Sequence, residues 1–520
     1  MSADDDELVY GAEGEGEADA DSPEAIAAQS GDWDDLDHAL CALPMNDLAN
    51  AKRLLARNVG RMFWTREWGP AMFDGQRFNF EHGGAMVGQA AQAAAEAMLA
   101  RETAAFWATQ RRKGVTLQAF KKLFGRFWLF ALSTGNNGRT EAMLKQAERR
   151  TTRPLADFDR DPDRLVVGNG TLTLPRDGSP PVLAPGFDPA HLITRRALAA
   201  YDPHAKAPTF AAFLDKVQPN PENRAYLARV FGYCLTGHVG EQAYFIFHGK
   251  GGDGKSTLLN AIGDALGDYV VNAAIDTFLK HERKGSDHSA DLARLASGVR
   301  LVKAAEPEQG ARLAEAVIKT VTGGEPFPAR AMYREPFEFL PAWKLIISCN
   351  RKPRITGGDR GIWRRTNVVP WPVSIPEAEM DRGLDAKLRA EAGGILNWML
   401  AGWADWLERG LDPPADVKAA TEEYRLNSDP FAAWSANCLI IDPEARAPAA
   451  TLFKSYRGWA VQGGFDVMKQ TSFGRALSEM GLTRKHSNGI VWLGVKLNAA
   501  GEEALEAADR ADMDARYGGE

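Results

Sequence analysis

The residues whose types and spacing carry chemistry cluster in Ala243–Ile262, AYFIFHGKGGDGKSTLLNAI. Tyr244–Phe247 is a short apolar run that reads as a buried strand. Gly249-Lys250-Gly251-Gly252-Asp253-Gly254-Lys255-Ser256 follows at once, and an apolar-periodic segment suited to a helix comes next. The stretch satisfies G-x-x-x-x-G-K-[ST], the phosphate-cradling loop. Glycines let backbone N–H groups fold around a polyphosphate without Cβ clashes, and a helix N-terminus then faces the anion. In that geometry Lys255 reaches the β- and γ-phosphates and the Ser256 hydroxyl ligates Mg²⁺. Gly249, Gly251, Gly252, Asp253, Gly254, Lys255, Ser256 and Thr257 form the expected ATP-contact set. A chance Gly-rich turn is the alternative, and the strand before and helix after argue against it. Asp253 stands out, because a carboxylate beside phosphate costs affinity unless it points away or caps a backbone N–H.

Three further groups lie downstream. Leu301–Ala305 suits a buried strand that ends in Glu306 and Glu308. A parallel-sheet ATPase needs carboxylates at such a strand end, one ordering Mg²⁺ and one polarising the attacking water. Leu345–Ser348 reads as another buried strand, closing on Asn350, whose amide can hold the attacking water or the γ-phosphate. GGDRGIWRRTNVVPWP places Arg360, Arg364 and Arg365 in a Gly-rich loop before a strand. Arginines so placed act as fingers on a neighbour's γ-phosphate, or form salt bridges on a surface loop. Between these groups a helix ends at Gly323-Gly324, and a hairpin-like stretch carries Arg330, Tyr333 and Arg334.

A chain of 520 residues has room for two to four domains and a sizeable core. The net charge of −7 is unevenly spread: residues 1–40 hold fourteen Asp or Glu and no Lys or Arg. The remainder carries 62 basic against 55 acidic residues and is mildly basic, which permits nucleic-acid binding. The acidic start, rich in Gly and Ala, reads as a disordered tail. No run approaches the ~18 apolar residues of a membrane span, and MSADDDELVY lacks the regions of a signal peptide. Cys41, Cys234, Cys349 and Cys438 lie far apart and read as reduced core thiols of a cytosolic protein. His281 and His288 have no partner at metal-ligand spacing. Helical spacing begins near Asn46, short strands follow around Asp74-Gly75, and an Ala-rich helical stretch ends in AFKKLFGRFWLF, where Lys121, Lys122 and Arg126 could meet phosphate.

Phosphate loop, acidic strand end, GG with basic hairpin, strand-end Asn and DRGIWRR come in this order over roughly 120 residues. The set resembles the superfamily III helicases, specifically the helicase half of phage, plasmid and poxvirus primase-helicases. RLVVGNGTLTL, AYDPHAKAPTFAAFL, YLARVFGYCLTG and ARAMYREPFEFLPAWKLIISCNRKPRI look like that family's connecting blocks, so the resemblance spans roughly residues 46–500. It implies Lys255 and Ser256 at phosphate and Mg²⁺, Glu306 as the acidic residue of the second motif, Asn350 as sensor, and Arg364 or Arg365 as finger. It also implies a hairpin that tracks single-stranded DNA in a hexamer's channel, with Lys319, Arg330, Tyr333 and Arg334 as candidates. Cations and aromatics suit that task, since phosphate attraction is sequence-blind and every base offers a π-face. Two features depart from the family. Pro307 separates Glu306 from Glu308 where paired acids are usual, and Asp253 stands where Asn is common.

The C-terminal order, helices near Pro430–Asn437 and Thr451–Gln462, then KQTSFGRALSEMGL and a hairpin turning at Asn488-Gly489, is that of a winged-helix module that grips DNA or makes oligomer contacts. The expected fold is α/β: a P-loop, AAA+-like parallel-sheet core with an α+β N-terminal domain and a winged-helix-like C-terminal domain. Expected boundaries are 1–45 (acidic tail), 46–215, 216–425, 426–500 and 501–520 (flexible tail). The expected activity is an ATP- and Mg²⁺-dependent, hexameric DNA helicase of phage, prophage or plasmid replication. It would act on single-stranded and forked DNA in a bacterial cytoplasm, with a separate primase or polymerase as partner. The other reading is an origin-binding initiator ATPase that loads other proteins without processive unwinding.

Overall fold

The computed structural model describes residues 33–280, 292–308, 310–331, 334–355, 360–463, 465, 467–486 and 489–517. Residues 1–32, His281, His288, Tyr333 and Asn488 lie outside them. The N-terminal part builds helices α1 (Trp33–Cys41) and α2 (Asp47–Ala56) and the antiparallel strands β1 (Met62–Thr65), β2 (Gly69–Phe73) and β3 (Phe78–Asn79). Helices α3 (Gly83–Ala97), α4 (Thr103–Arg112), α5 (Leu117–Thr134) and α6 (Asn137–Thr151) follow. Helix α1 lies inside the stretch expected as an acidic tail, residues 1–45. Leu36 and Leu40, one turn apart, are buried, and Asp37 pairs with Arg57 at 2.5 Å. Asn46 caps α2 by accepting the Ala49 N–H at 2.8 Å. A buried pair, Arg53 Nε to Glu102 Oε2 at 2.7 Å, ties α2 to the turn ahead of α4.

Strands β4 (Arg164–Val167), β5 (Gly170–Thr173) and β6 (Val182–Pro185) form a second antiparallel sheet, followed by helices α7 (Pro208–Val217) and α8 (Pro221–Tyr233). Leu165, Leu172, Phe210 and Val217 share one core with the central sheet, so the boundary expected at 215–216 falls inside that core.

The central sheet is parallel throughout. Its strands are β7 (Tyr244–Gly249), β8 (Val270–Asn272), β9 (Leu301–Ala305), β12 (Lys344–Cys349) and β13 (Thr366–Trp371), in the spatial order β13-β7-β12-β9-β8. Between them run α9 (Lys255–Leu266), α10 (Glu315–Gly323), the short hairpin β10 (Phe327–Ala329) and β11 (Phe337–Phe339), and α11 (Arg360–Trp363). A strand covered on both faces is apolar along its length, and β7 obeys over Tyr244–Phe247. Phe245 and Phe247 enter one core while Tyr244 and Ile246 enter the other. The first core is closed by α7, α8, α9 and the helices α12 (Leu384–Ala390) and α13 (Ala392–Arg409). The second takes in Ile318 of α10 and Tyr424 of α14 (Ala415–Ser428). This is a three-layer α/β P-loop core, as expected. Helices α8 and α13 touch backbone to backbone: a Cβ on Gly232 would lie 2.1 Å from Trp403 N, and one on Gly402 1.9 Å from Ala228 O.

The C-terminal part comprises α15 (Pro430–Cys438), β14 (Leu439–Pro448), α16 (Ala449–Gln462), α17 (Gln470–Glu479), β15 (Thr483–His486), β16 (Ile490–Leu497) and α18 (Ala499–Tyr517), its sheet ordered β14-β16-β15. Helix α18 corrects the expected flexible tail at 501–520. Its small residues Ala504 and Ala508 are buried against Gly458 of α16, and Arg457 meets Asp512 at 2.5 Å. All four cysteines are buried and free. Among the described residues no helix is long and apolar enough to cross a membrane.

Candidate nucleotide-binding site

Strand β7 delivers the chain to the phosphate loop at Gly249, and α9 leaves it at Lys255. The turn between them needs glycine: φ is +96° at Gly251, +60° at Gly252 and +84° at Gly254, the left-handed region that other residues avoid. Segments that sequence reasoning did not single out brace the loop. Ile375 N–H donates to Gly252 O at 2.8 Å and Ser374 Oγ to Gly251 O at 3.2 Å, while Phe213 and Val217 of α7 close against Gly254. No motif marks these residues, because their part is set by where the chain returns.

Inside the loop, Asp253 and Lys255 are 4% and 3% exposed. Asp253 Oδ2 pairs with Lys255 Nζ and accepts the Gly251 N–H at 3.3 Å, and Oδ1 accepts the Lys255 N–H at 3.4 Å. The carboxylate therefore caps loop N–H groups and also holds the ammonium. Lys255 Nζ donates in addition to Asn350 Oδ1 at 3.3 Å, so the amide at the end of β12 meets the loop. Ser256 is exposed and Thr257 half-buried at the start of α9.

Strand β9 lies on the far side of β12 from β7 and ends one residue short of Glu306. Glu306 has φ +55°, and its N–H donates to Ser348 O at 3.0 Å. Glu306 and Glu308 are both exposed, with Pro307 buried between them. Cys349 lies close to both charges: burial pushes its thiol up to about 12, Lys255 opposes the shift and Glu306 adds to it. Burial, with Lys352 and Lys255, holds His248 below its ordinary pKa, which favours a neutral imidazole at pH 7.

The arginines lie elsewhere. Because β13 pairs in parallel with β7, Thr366 opposite Tyr244, Arg364 and Arg365 sit at the end of the sheet away from the loop, a strand length of about 20 Å. Arg365 is 8% exposed and donates to Gly361 O (2.8 Å), Gln242 Oε1 (3.1 Å) and Thr322 Oγ1 (3.2 Å). This corrects its pairing with Arg364 as an equal finger candidate, since its guanidinium is spent inside its own chain. Arg364 is exposed and donates to Gln242 Oε1 at 2.9 Å. Arg360 is exposed at the start of α11.

The expected hairpin is present as β10 and β11, antiparallel with Phe327 opposite Phe339. Arg330 and Arg334 are exposed at its tip, with Arg330 Nε donating to Arg334 O at 3.0 Å. Lys319 is half-buried on α10. Arg334 reaches Gly69 of the N-terminal sheet, where a Cβ would lie 2.5 Å from its Nη2. It lines a cavity of about 660 Å³ there with Trp68, Phe80 and Arg294.

Residues 51–219 match the family model described as "D5 N terminal like", and residues 247–365 match a "family of unknown function (DUF5906)". "Putative helicase L207/L206" of Acanthamoeba polyphaga mimivirus is 28% identical over 266 residues, 48% of this chain and 28% of that protein. Over about half its length the chain is similar to viral proteins named as helicases. "Putative helicase 022R" of Frog virus 3 is 24% identical over 265 residues, 48% of this chain and 27% of its own length. "Putative helicase V13" of Sputnik virophage is 23% identical over 193 residues, 34% and 25% of the two chains. The chain thus spans about a quarter of the length of the curated relatives it matches. An apo structure of the NrS-1 C-terminal region aligns over 67% of this chain and 85% of that one, at 12% identity and a TM-score of 0.40. The primase-helicase resemblance read from the motifs is borne out by the matched families and viral relatives.

Proposed function

We propose that this chain is an ATP-dependent DNA helicase of superfamily III type, acting in the replication of viral or other mobile DNA. The observation that carries the reading is the Lys255–Asn350 contact, which joins the phosphate loop to the tip of β12, with Glu306 at the end of the next strand. A glycine cradle opening on a helix N-terminus fits a polyphosphate. Lys255 and the loop N–H groups take the phosphate charge, Asn350 orients the attacking water, and one of Glu306 and Glu308 accepts its proton. Ser256 and Glu306 would hold Mg²⁺, which when bound supplies positive charge to the phosphoryl oxygens. Arg364, facing away from its own loop, completes a neighbour's site in a ring, for which a hexamer is the proposed form. Lys319, Arg330, Tyr333 and Arg334 are the proposed contacts to single-stranded DNA.

With Mg²⁺ and ATP the purified protein is expected to unwind a tailed duplex. Lys255→Ala should lower hydrolysis by about 10²-fold or more and abolish unwinding. ATP hydrolysis by the wild type without DNA stimulation or unwinding would end the helicase reading. The C-terminal helices and β14-β16-β15 sheet support a second reading, an origin-binding initiator. A sequence-specific footprint lost on mutating Arg484 and Lys485, with no translocation, would favour it.

A further inference from the structure

Between the central sheet and the C-terminal part lies a cleft of about 440 Å³ whose two walls differ in chemistry. One wall is the chain leaving β12 beyond Asn350, with Lys352 and Arg354, beside the segment ahead of α10, with Arg312. The other, between α16 and α17, brings Phe465, Val467 and Met468. Among the described residues the lining holds these three cations and no Asp or Glu.

The first wall keeps its charges together. Arg312 and Arg354 are partners in an isolated parallel bridge, with Arg354 N–H donating to Ala311 O at 2.7 Å and Leu313 N–H to Arg354 O at 2.8 Å. Such pairing sets two exposed arginines side by side, their backbones about 4.8 Å apart, where like charges repel. Beside them the buried Tyr424 phenol donates to Pro353 O, and Lys352 Nζ lies 5.1 Å from the same ring's centroid. An anion between the guanidinium groups relieves the repulsion, and their planar forks match phosphate oxygens. The second wall is also fixed. Half-buried Phe465 stacks on Trp459 of α16, ring centroids 5.3 Å apart, and its N–H donates to Ala460 O at 2.8 Å.

A nucleotide has the same polarity, with phosphate at one edge and a stackable base at the other. The volume falls within the range of about 300–1,000 Å³ usual for small-ligand pockets. Positive charge continues past the cleft, at exposed Arg351 on the first wall's segment and exposed Lys469 on the second's. A strand with repeating phosphates uses that continuation, and a lone nucleotide does not.

We propose that this cleft binds one nucleotide of a single nucleic-acid strand, its phosphate against Arg312 and Arg354 and its base against Phe465 and Met468. The site lies beyond the C-terminal end of β12, whereas the β10–β11 hairpin precedes the start of that strand. It rests on the nucleic-acid half of the reading above. Binding is measured without ATP, so its failure leaves the ATPase tests standing.

The full-length chain is titrated with a short oligothymidylate carrying 5-iodouracil over a series of salt concentrations, then cross-linked by ultraviolet light. Arg312→Gln with Arg354→Gln should lower the magnitude of the slope of log K against log salt by about 1.4, at roughly 0.7 per phosphate contact on a single strand. Labelling of Phe465 or Met468 should fall about tenfold. Arg312→Lys with Arg354→Lys keeps the charges and should keep most of the slope. Arg176→Gln, at an exposed position in the turn between β5 and β6, should change neither readout. Because the pair is exposed and mutually repelling, the Gln variant should melt no lower than the wild type. An unchanged slope in that variant, or labelling confined to other residues, overturns the proposal. So does equal labelling by free 5-iodo-dUMP, which would assign the cleft to a mononucleotide. So does deuterium exchange around Met468 that polyglutamate slows and the oligonucleotide does not, which would assign it to an acidic protein.

Discussion

Asp253 holds the Lys255 ammonium and accepts from two loop N–H groups, the donors proposed to take phosphate. On the ATPase reading, nucleotide binding is then a displacement of one anion by another. Asp253→Asn keeps the cap on Gly251 and removes the charge. It should tighten ATP binding by about tenfold, the order of one charge-assisted hydrogen bond. It should also lower the melting temperature without ligand, because Lys255 is left buried without its anion. Titration with a fluorescent ATP analogue, together with thermal melts, checks both. Unchanged or weaker binding would show that the carboxylate does not compete. The loop itself was legible because glycine spacing encodes its positive φ angles. The clamp was not, since two residues of separation say nothing about which way a carboxylate turns until the loop's curvature is known. The braces Phe213, Ser374 and Ile375 were hidden for a related reason: their link to the loop exists only through tertiary return of the chain.

At the level of elements, strand direction separates two arginines that are adjacent in sequence. Both donate to Gln242 Oε1, but Arg365 is buried and folds back into Thr322 and Gly361 as well, whereas Arg364 is exposed. Arg364→Ala should lose most ATP hydrolysis and keep the wild-type melting temperature. Arg365→Ala should lower the melting temperature, because it strips Thr322 and Gln242 of a buried partner. The reverse pattern would exchange their roles. The α8–α13 crossing makes a further demand. Gly232→Ala or Gly402→Ala would force two backbones apart and should destabilise the fold by about 2–3 kcal/mol, measurable by denaturant unfolding. Strands β7, β9 and β12 were readable as apolar runs because both faces of the sheet are covered, and Leu301–Ala305 was matched to the residue, whereas the short edge strand β8 was not singled out. Strand order was not readable: nothing local says that β12 separates β7 from β9, which is what brings Asn350 to Lys255.

For the molecule as a whole, stability carries a pH signature from Lys344, the first residue of β12. Its ammonium donates to Thr236 O and lies 4.3 Å from the Tyr233 ring centroid, and burial lowers its pKa from 10.5 to about 7. A lysine depressed on folding costs most below its folded pKa and nothing above its unfolded one. Relative to Lys344→Met, the wild-type chain should therefore gain stability as pH rises from about 7 to 10. Parallel melts across that window test the sign. The ends of the chain were the least legible part. Charge density suggested tails, yet α1 and α18 are held by a few small or apolar residues and by ion pairs with distant arginines, Arg57 and Arg457. The parallel pairing of β13 with β7 has a last consequence for an assembly in which Arg364 serves a neighbour. Lys255→Ala chains lack a loop but offer a finger, and Arg364→Ala chains lack a finger but offer a loop. Two preparations that are each inactive should then complement one another, regaining part of the ATP turnover once mixed and allowed to exchange subunits.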